Sequence, residues 1–285
     1  MRDERGNPMP DNAIWEVVLY VGGPVTVRRR MQTTQQKGFQ VNDPFYSNIE
    51  IQSIPSGLRA TVTARAPDHI VAYKAAVFFF GRMLDTLTLA INRPMYLSLT
   101  EGKRPLSERH DVRRVIEQDQ VEQAFREAHH LASGRPSFLR SLGWYRKGLT
   151  TEDPLDKFLA FWNAIEIVAC KYYRDAPCID KERATNGSKS KVWECFKAVW
   201  GKCEEWPVIP GQTNWIDESY SVRKDVAHGV AFVDILKVAE VAARLPAIEE
   251  VCYQFLHNWR DRFLDLNHQQ SSESLSEVDQ ELLQA

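Results

Sequence analysis

The sequence contains little cysteine, few residues that interrupt regular structure, and no excess of charge of one sign. Its 285 residues include five cysteines without a Cys-x-x-Cys pair, a usage typical of a reducing compartment. Fourteen glycines and 14 prolines are too few for long flexible linkers. The 36 basic and 38 acidic side chains give a net charge of −2. The protein therefore has no global positive field, and any site for nucleic acid must be a local patch.

Long hydrophobic runs are also missing. The longest, residues 75–81, lies between Lys74 and Arg82 and is far shorter than the roughly 20 residues that span a bilayer. No apolar segment follows the charged residues 1–6, so we expect no signal peptide. The composition, 44% hydrophobic and 26% charged, is that of a folded chain. We therefore expect a cytoplasmic protein that does not associate with membranes.

The familiar metal and cofactor motifs are absent from the sequence. Cys170 and Cys178 have the same spacing as Cys195 and Cys203, which could suggest a metal clip. No histidine lies at ligand spacing from these four residues, so we interpret them as buried apolar thiols. There is no glycine-rich phosphate loop and no Ser-His-Asp order. We expect neither a metal nor a cofactor.

The N-terminal third of the chain has the pattern of a small α+β domain, residues 13–101, after a flexible tail at residues 1–12. Asp68 is placed to cap a long helix that is apolar nearly all round, which we expect the sheet to cover. Residues 28–48 show no clear period and are predicted to form a long surface loop. The segments with the composition or alternation of strands are residues 15–21, 25–27, 58–65 and 95–99.

From residue 106 onward the hydrophobic period is helical almost throughout. Asp153 followed by Pro154 is a strong start signal for a helix. We predict connecting helices in residues 102–148, a helical domain in 149–266 and a flexible polar tail in 267–285. The predicted helices are residues 109–132, 137–147, 155–173, 189–200, 214–228 and 234–266. The predicted fold class is α+β, with a small N-terminal α+β domain followed by a C-terminal all-α bundle.

Two charged residues fall on the apolar faces of predicted helices. With residues at about 100° intervals, Glu166 lies inside the apolar arc of helix 155–173. A carboxylate there cannot stay ionised without a cationic or hydrogen-bonding partner. Arg223 lies near the middle of the apolar arc of helix 214–228. If the two helices are neighbours, Glu166 and Arg223 are expected to form a mutual ion pair.

His228 ends the same predicted helix as Arg223. The helix dipole favours a protonated ring at this position, Asp225 could orient the imidazole, and Lys224 would oppose protonation. Five residues separate His228 from Arg223, which is about 140° on an ideal helix. The two side chains therefore converge only if the helix end distorts or a second chain brings its own copy. A titratable histidine beside an always-charged arginine suits phosphate chemistry.

Two segments of the sequence, in this order, resemble HEPN ribonuclease domains. Residues 158–166, Phe-Leu-Ala-Phe-Trp-Asn-Ala-Ile-Glu, resemble the first conserved helix of the Apea-like HEPN branch. Residues 217–229, Asp-Glu-Ser-Tyr-Ser-Val-Arg-Lys-Asp-Val-Ala-His-Gly, contain an Arg-x4-His motif similar to the family signature. The resemblance covers about residues 145–262. It departs from the family pattern at Lys224, where Asn, Asp, Ser or His is common.

The resemblance implies a helical bundle that forms a homodimer, with the two Arg-x4-His motifs facing each other across a basic cleft. Such domains are typically metal-independent endoribonucleases. By motif position, His228 would act as general base or acid, Arg223 would stabilise charge in the transition state, and Glu166 would hold Arg223. Asn163, Tyr220 and Asp225 would be supporting residues. Candidate contacts to RNA are Lys224 and the basic residues of the polar insert, Lys181, Arg183, Lys189 and Lys191.

Two functions follow from these observations. The first is an endoribonuclease that cleaves RNA by attack of the 2′-hydroxyl, as a toxin-like or anti-phage effector. Residues 13–101 would then sense a signal, bind a regulatory or antitoxin partner, or hold the nuclease in check. The alternative is a non-catalytic HEPN module that binds nucleotide, nucleic acid or a partner protein. We interpret the cluster of Trp193, Trp200 and Trp206 as core rather than as a platform for stacking bases.

Overall fold

The chain forms two compact units in a computed structural model. The first unit contains Met1–Ser133 and Tyr145–Glu152, and the second contains Gly134–Trp144 and Asp153–Ala285. The structure describes residues 13–34, 45–98, 100, 112–176, 179–228 and 235–264. Within these ranges the side chains of residues 45–47, 65, 181, 228 and 235 are outside the description.

The first unit is built on an antiparallel sheet of five strands. The strands are β1 (Ala13–Gly22), β3 (Met31–Thr34), β4 (Phe45–Ile54), β5 (Gly57–Ala66) and β6 (Tyr96–Ser98), in the order β3-β4-β5-β1-β6. β5 follows the predicted alternation, because Leu58, Ala60, Val62 and Ala64 are all buried. Short strands β2 (Val25–Thr26) and β7 (Arg114–Val115) pair in parallel beside it.

Two helices supply most of the remaining core of the first unit. Helix α1 (His69–Ile91) begins where predicted, since the Asp68 carboxylate accepts the backbone N–H of Val71 at 2.8 Å. Helix α2 (Gln118–Gly134) contributes Phe125, whose ring lies 6.2 Å from that of Phe80. The coverage expected for α1 does not extend to Ile70 and Phe78, whose side chains are half exposed.

Two boundaries in this unit differ from the sequence prediction. The predicted loop 28–48 contains β3 and the start of β4. β3 is an edge strand with one buried residue, Met31, so its sequence lacks the alternation of a half-buried strand. The helix predicted from residue 109 begins at Gln118, because residues 114–115 pair with β2 before the helix starts. Residues 101–111 lie outside the described part of the chain.

The second unit is helical. It contains part of α3 (Pro136–Thr150), then α4 (Pro154–Tyr172), α5 (Lys181–Ala184), α6 (Ser188–Trp200), α7 (Trp215–His228) and α8 (Ile235–Phe263). Asp153 caps α4 as predicted, by accepting the N–H groups of Leu155 and Asp156. Helix α4 is central because it contacts α6, α7 and α8. The α+β fold class with a helical C-terminal region is confirmed.

Among the described helices, none combines the length and the apolar character needed to cross a bilayer.

Candidate functional site

Helices α4 and α7 bring Glu166 and Arg223 together. An Nη atom of Arg223 lies 3.4 Å from a carboxylate oxygen of Glu166. The two side chains are 25% and 15% exposed, so the pair is mostly shielded from water while the guanidinium still reaches the surface. The contact predicted from the two helical faces is confirmed, because α4 and α7 are neighbours.

Aromatic rings on the two helices that carry this pair pack against one another. Trp162, one turn before Glu166 on α4, is fully buried, and its ring lies 6.2 Å from Tyr220 and 6.4 Å from Trp215 on α7. These ring contacts help to hold α4 and α7 side by side. The Lys224 ammonium lies 5.6 Å from the centre of the Tyr220 ring. Tyr220 therefore links the core to the exposed lysine.

Helix α7 is regular from Arg223 to its last residue, His228, five positions later. The two Cα positions are thus about 140° apart around the helix axis. The side chain of His228 lies outside the described part of the structure. Because α7 is helical up to His228, a distorted helix end does not bring His228 towards Arg223 within one chain.

Asp225 is engaged by a residue of the next helix. Its carboxylate lies 3.4 Å from the Lys237 ammonium on α8, and Lys237 also contacts Glu240 at 3.2 Å. Asp225 was predicted to orient the His228 imidazole, and Lys237 would compete with the imidazole for this carboxylate. Asn163, also predicted to support the site, is half-buried on α4, one turn before Glu166.

A cysteine lies beside the ion pair. Cys170 follows Glu166 by one turn of α4, and burial raises the pKa of its thiol, with a further contribution from the Glu166 carboxylate. Arg223, Lys191 and Lys171 act in the opposite direction but do not overcome the burial. The thiol therefore stays protonated at neutral pH, where it is a poor nucleophile. The four cysteines that the structure describes are free thiols.

The predicted RNA-binding residues are divided between two places. Arg183 contacts the buried Glu194 at 3.6 Å and lies 5.1 Å from the Trp193 ring, and Lys189 forms a 2.6 Å ion pair with Asp217. Lys191 lies instead over the ring of Tyr173, at 5.0 Å. The side chain of Lys181, at the start of α5, is outside the description. Arg183 and Lys189 are thus the pair that shares one location.

That location is a pocket of about 500 Å³ between α5, α6 and α7. The interpretation of the tryptophan cluster as core applies to Trp206, which is buried, whereas Trp193 packs against it, remains partly exposed and lines the pocket. Trp193 lies on α6 and Trp206 lies in the segment after it, and the sequence alone does not show which of the two rings is covered by its neighbours. The lining residues are Arg183, Lys189, Ser190, Trp193, Thr213, Ile216 and Asp217.

Groups of acidic, histidine or cysteine residues that could hold a metal ion are not found among the described residues.

Comparisons with known proteins do not assign the chain to a family. No protein-family model matches the sequence, no curated protein matches it, and no solved structure matches the fold.

Proposed function

We propose that the protein is a metal-independent endoribonuclease of the HEPN type, with Arg223 and His228 as catalytic residues. His228 takes the proton of an RNA 2′-hydroxyl, and the resulting oxygen attacks the adjacent phosphorus. Arg223 stabilises the negative charge that develops on the phosphate oxygens. Glu166 is a positioning residue, because it acts through Arg223.

The observation that carries this proposal is the Glu166–Arg223 pair. The Glu166 carboxylate fixes one side of the Arg223 guanidinium, and one quarter of the arginine side chain remains exposed. A charge held in place by a partner stabilises a transition state better than a mobile surface arginine, because little reorganisation is needed during the reaction. The planar fork of arginine also matches the oxygens of a phosphate.

The chemistry of a histidine favours RNA over DNA. A 2′-hydroxyl is held next to the phosphorus by the ribose itself, and such proximity lowers the barrier by several kcal/mol relative to attack by free water. The reaction breaks the bond from phosphorus to the 5′-oxygen and leaves a 2′,3′-cyclic phosphate and a 5′-hydroxyl. A protonated donor, such as the imidazolium formed in the first step, supplies the proton to the leaving oxygen.

The geometry of α7 supports a site shared between two chains. Arg223 and His228 are about 140° apart on a regular helix, so they do not face one substrate from the same chain. In a two-fold dimer, the arginine of one chain and the histidine of the other can meet. The proposal therefore includes a homodimer formed through the helical unit.

The biological role fits a cytoplasmic toxin-like or anti-phage effector. An enzyme that cuts RNA must be restrained until it is needed, and the α+β unit is the part of the chain left to bind a regulatory or antitoxin partner. This part of the proposal follows from the resemblance to HEPN domains.

The second candidate is a non-catalytic module that binds nucleotide, nucleic acid or a partner protein. The observation in its favour is the contact of Asp225 with Lys237, since this carboxylate is then less able to orient His228. In that case Glu166 and Arg223 serve mainly to join α4 and α7.

Cleavage of matched RNA and DNA strands in EDTA separates the two functions. We expect the RNA to be cut and the DNA of the same sequence to remain intact. His228→Ala should reduce the rate by orders of magnitude, and Arg223→Lys should also lose most activity because lysine lacks the planar fork. As a control, Lys202→Ala removes one exposed positive charge and should leave the rate unchanged. Intact RNA with the parent protein would favour the binding module.

A further inference from the structure

The pocket between α5, α6 and α7 combines the three features that bind a nucleotide. Two cations, Arg183 and Lys189, line it together with the hydroxyl-bearing Ser190 and Thr213, and Trp193 provides an aromatic surface. Its volume of about 500 Å³ lies within the range of small-molecule sites. Cations and hydroxyl groups bind phosphate oxygens, whereas an aromatic ring binds the face of a base.

The backbone near Lys189 also favours an anion. Lys189 and Ser190 lie in the first turn of α6, which has no acidic residue and no side-chain cap at Gly187. The first N–H groups of a helix point outward, and the helix dipole adds a partial positive charge there. A lysine in this turn is unfavourable on its own. Asp217 balances Lys189 in the free protein, and a bound phosphate would take the place of this carboxylate and also neutralise the helix end.

Trp193 is held in position by its neighbours. Its ring lies 4.9 Å from that of the buried Trp206, and the Arg183 guanidinium lies 5.1 Å from its centre. A ring that is fixed before binding loses little conformational entropy when a base stacks on it. The side chain nevertheless remains partly exposed at the pocket, unlike Trp206.

The pocket and the Glu166–Arg223 pair lie along the same side of α7. Ile216, which lines the pocket, is seven residues before Arg223, so the two positions share a helical face about 10 Å apart along the axis. This distance is short enough for neighbouring nucleotides of one strand to reach both places.

We propose that the pocket binds one nucleotide of single-stranded RNA, with its base on Trp193 and its phosphate between Lys189 and Arg183. The inference rests on the proposed function in one respect: the same strand would continue to Arg223. The strand must be single because a base in a duplex is stacked on its neighbours and cannot enter the pocket. Asp217, exposed and paired with Lys189, is displaced by the phosphate, and the Arg183 guanidinium moves from the Trp193 ring towards the phosphate as the base takes its place.

Binding of a short fluorescein-labelled oligouridine to the full-length His228→Ala protein tests the inference while the probe stays uncut. Trp193→Ala should weaken binding about 5- to 150-fold, because stacking on one aromatic ring contributes that much per base. Lys189→Ala should weaken binding and lower the slope of log K against log salt by about 0.7, the value for one phosphate contact on a single strand. Trp193→Ala should leave that slope unchanged.

Asp217→Asn is the matched control for Lys189→Ala. Both variants remove the same ion pair, but only Lys189→Ala removes the positive charge. We expect Asp217→Asn to bind the oligouridine as tightly as its parent or more tightly. Lys202→Ala, which lies beyond the opposite end of α6, controls for the general loss of one charge. If Trp193→Ala does not fold, Lys189→Ala and Asp217→Asn still test the pocket, because both residues are exposed and their replacement should not disturb folding.

The results distinguish the proposed binding pocket from the proposed nuclease reaction. Equal binding by all variants, equal weakening by Lys189→Ala and Asp217→Asn, or no binding of the probe by the parent would overturn the pocket. If binding depends on Trp193 and Lys189 but the protein with His228 does not cut RNA, the pocket stands and the proposed reaction fails.

Discussion

At the scale of single residues, the contact between Glu166 and Arg223 has two consequences. It satisfies a carboxylate that would otherwise lie unpaired on an apolar helix face, and it holds an arginine at the edge of the bundle. Partial exposure of both groups screens the interaction, so its contribution is smaller than that of a fully buried pair. We expect the positioning of Arg223 to matter more than the stability that the pair supplies.

Replacing Glu166 tests this balance. Glu166→Ala should lower the free energy of unfolding by about 2 kcal/mol, because it leaves a mostly buried guanidinium without this partner. Glu166→Gln should lose less, since the amide oxygen can still accept a hydrogen bond from Arg223. Urea denaturation measures both, and the rate of RNA cleavage should fall in the same order.

A second ion pair on the same helix provides the control. Lys157 on α4 contacts Glu249 on α8, also at 3.4 Å, but Glu249 is more exposed than Glu166. Glu249→Ala should therefore cost less than about 1 kcal/mol and should leave cleavage unchanged. Equal losses of stability and activity at positions 166 and 249 would refute a special role for Glu166.

At the scale of secondary-structure elements, α7 connects the proposed functions. Along its length lie Ile216 at the pocket, Arg223 at the ion pair and His228 at the C-terminal end. Helix α4 fixes the middle of α7 through Glu166 and the aromatic contact of Trp162 with Tyr220. Movement of α7 would therefore shift the pocket and Arg223, the proposed catalytic arginine, together.

Elements with a local signal were predictable from the sequence. Asp68 and Asp153 accept hydrogen bonds at the starts of α1 and α4, as their positions indicate, and the alternation of residues 58–65 corresponds to a strand. β3 is not predictable in this way, because Met31 is its one buried residue and a single apolar residue does not produce an alternating pattern. Pairing with a neighbouring strand, which is not a local property, creates this element.

The candidate site was predictable only in part. Helical faces indicated that Glu166 and Arg223 point inward, and that inference required no more than the period of a helix. The pocket depends on how α6 packs beside α7, so neither Trp193 nor the pairing of Lys189 with Asp217 was visible in the sequence. The contact of Lys237 with Asp225 could not be predicted either, because the two residues lie on different helices.

At the scale of the whole molecule, the proposed site requires two chains. A dimer should have about twice the 32.8 kDa mass of one chain in light scattering. Activity that persists in a sample containing only the monomer would contradict a site shared between two chains.

Mixing two inactive variants tests whether the site is shared. We expect Arg223→Ala chains and His228→Ala chains each to be inactive, whereas a mixed dimer would retain one site with an intact arginine and an intact histidine. Random pairing of equal amounts gives half mixed dimers, so about one quarter of the parent rate should return. Refolding the two variants together and measuring RNA cleavage provides the result. Each variant refolded alone is the control, and a mixture no more active than these would contradict the arrangement.

The chemical nature of the cut ends tests the central claim most directly. RNA is incubated with the protein in EDTA, and the termini of the products are determined. Attack by the 2′-hydroxyl predicts a 2′,3′-cyclic phosphate on one fragment and a 5′-hydroxyl on the other, with both lost in His228→Ala. Products that carry a 5′-phosphate, or cleavage that survives the loss of His228, would contradict the proposed mechanism.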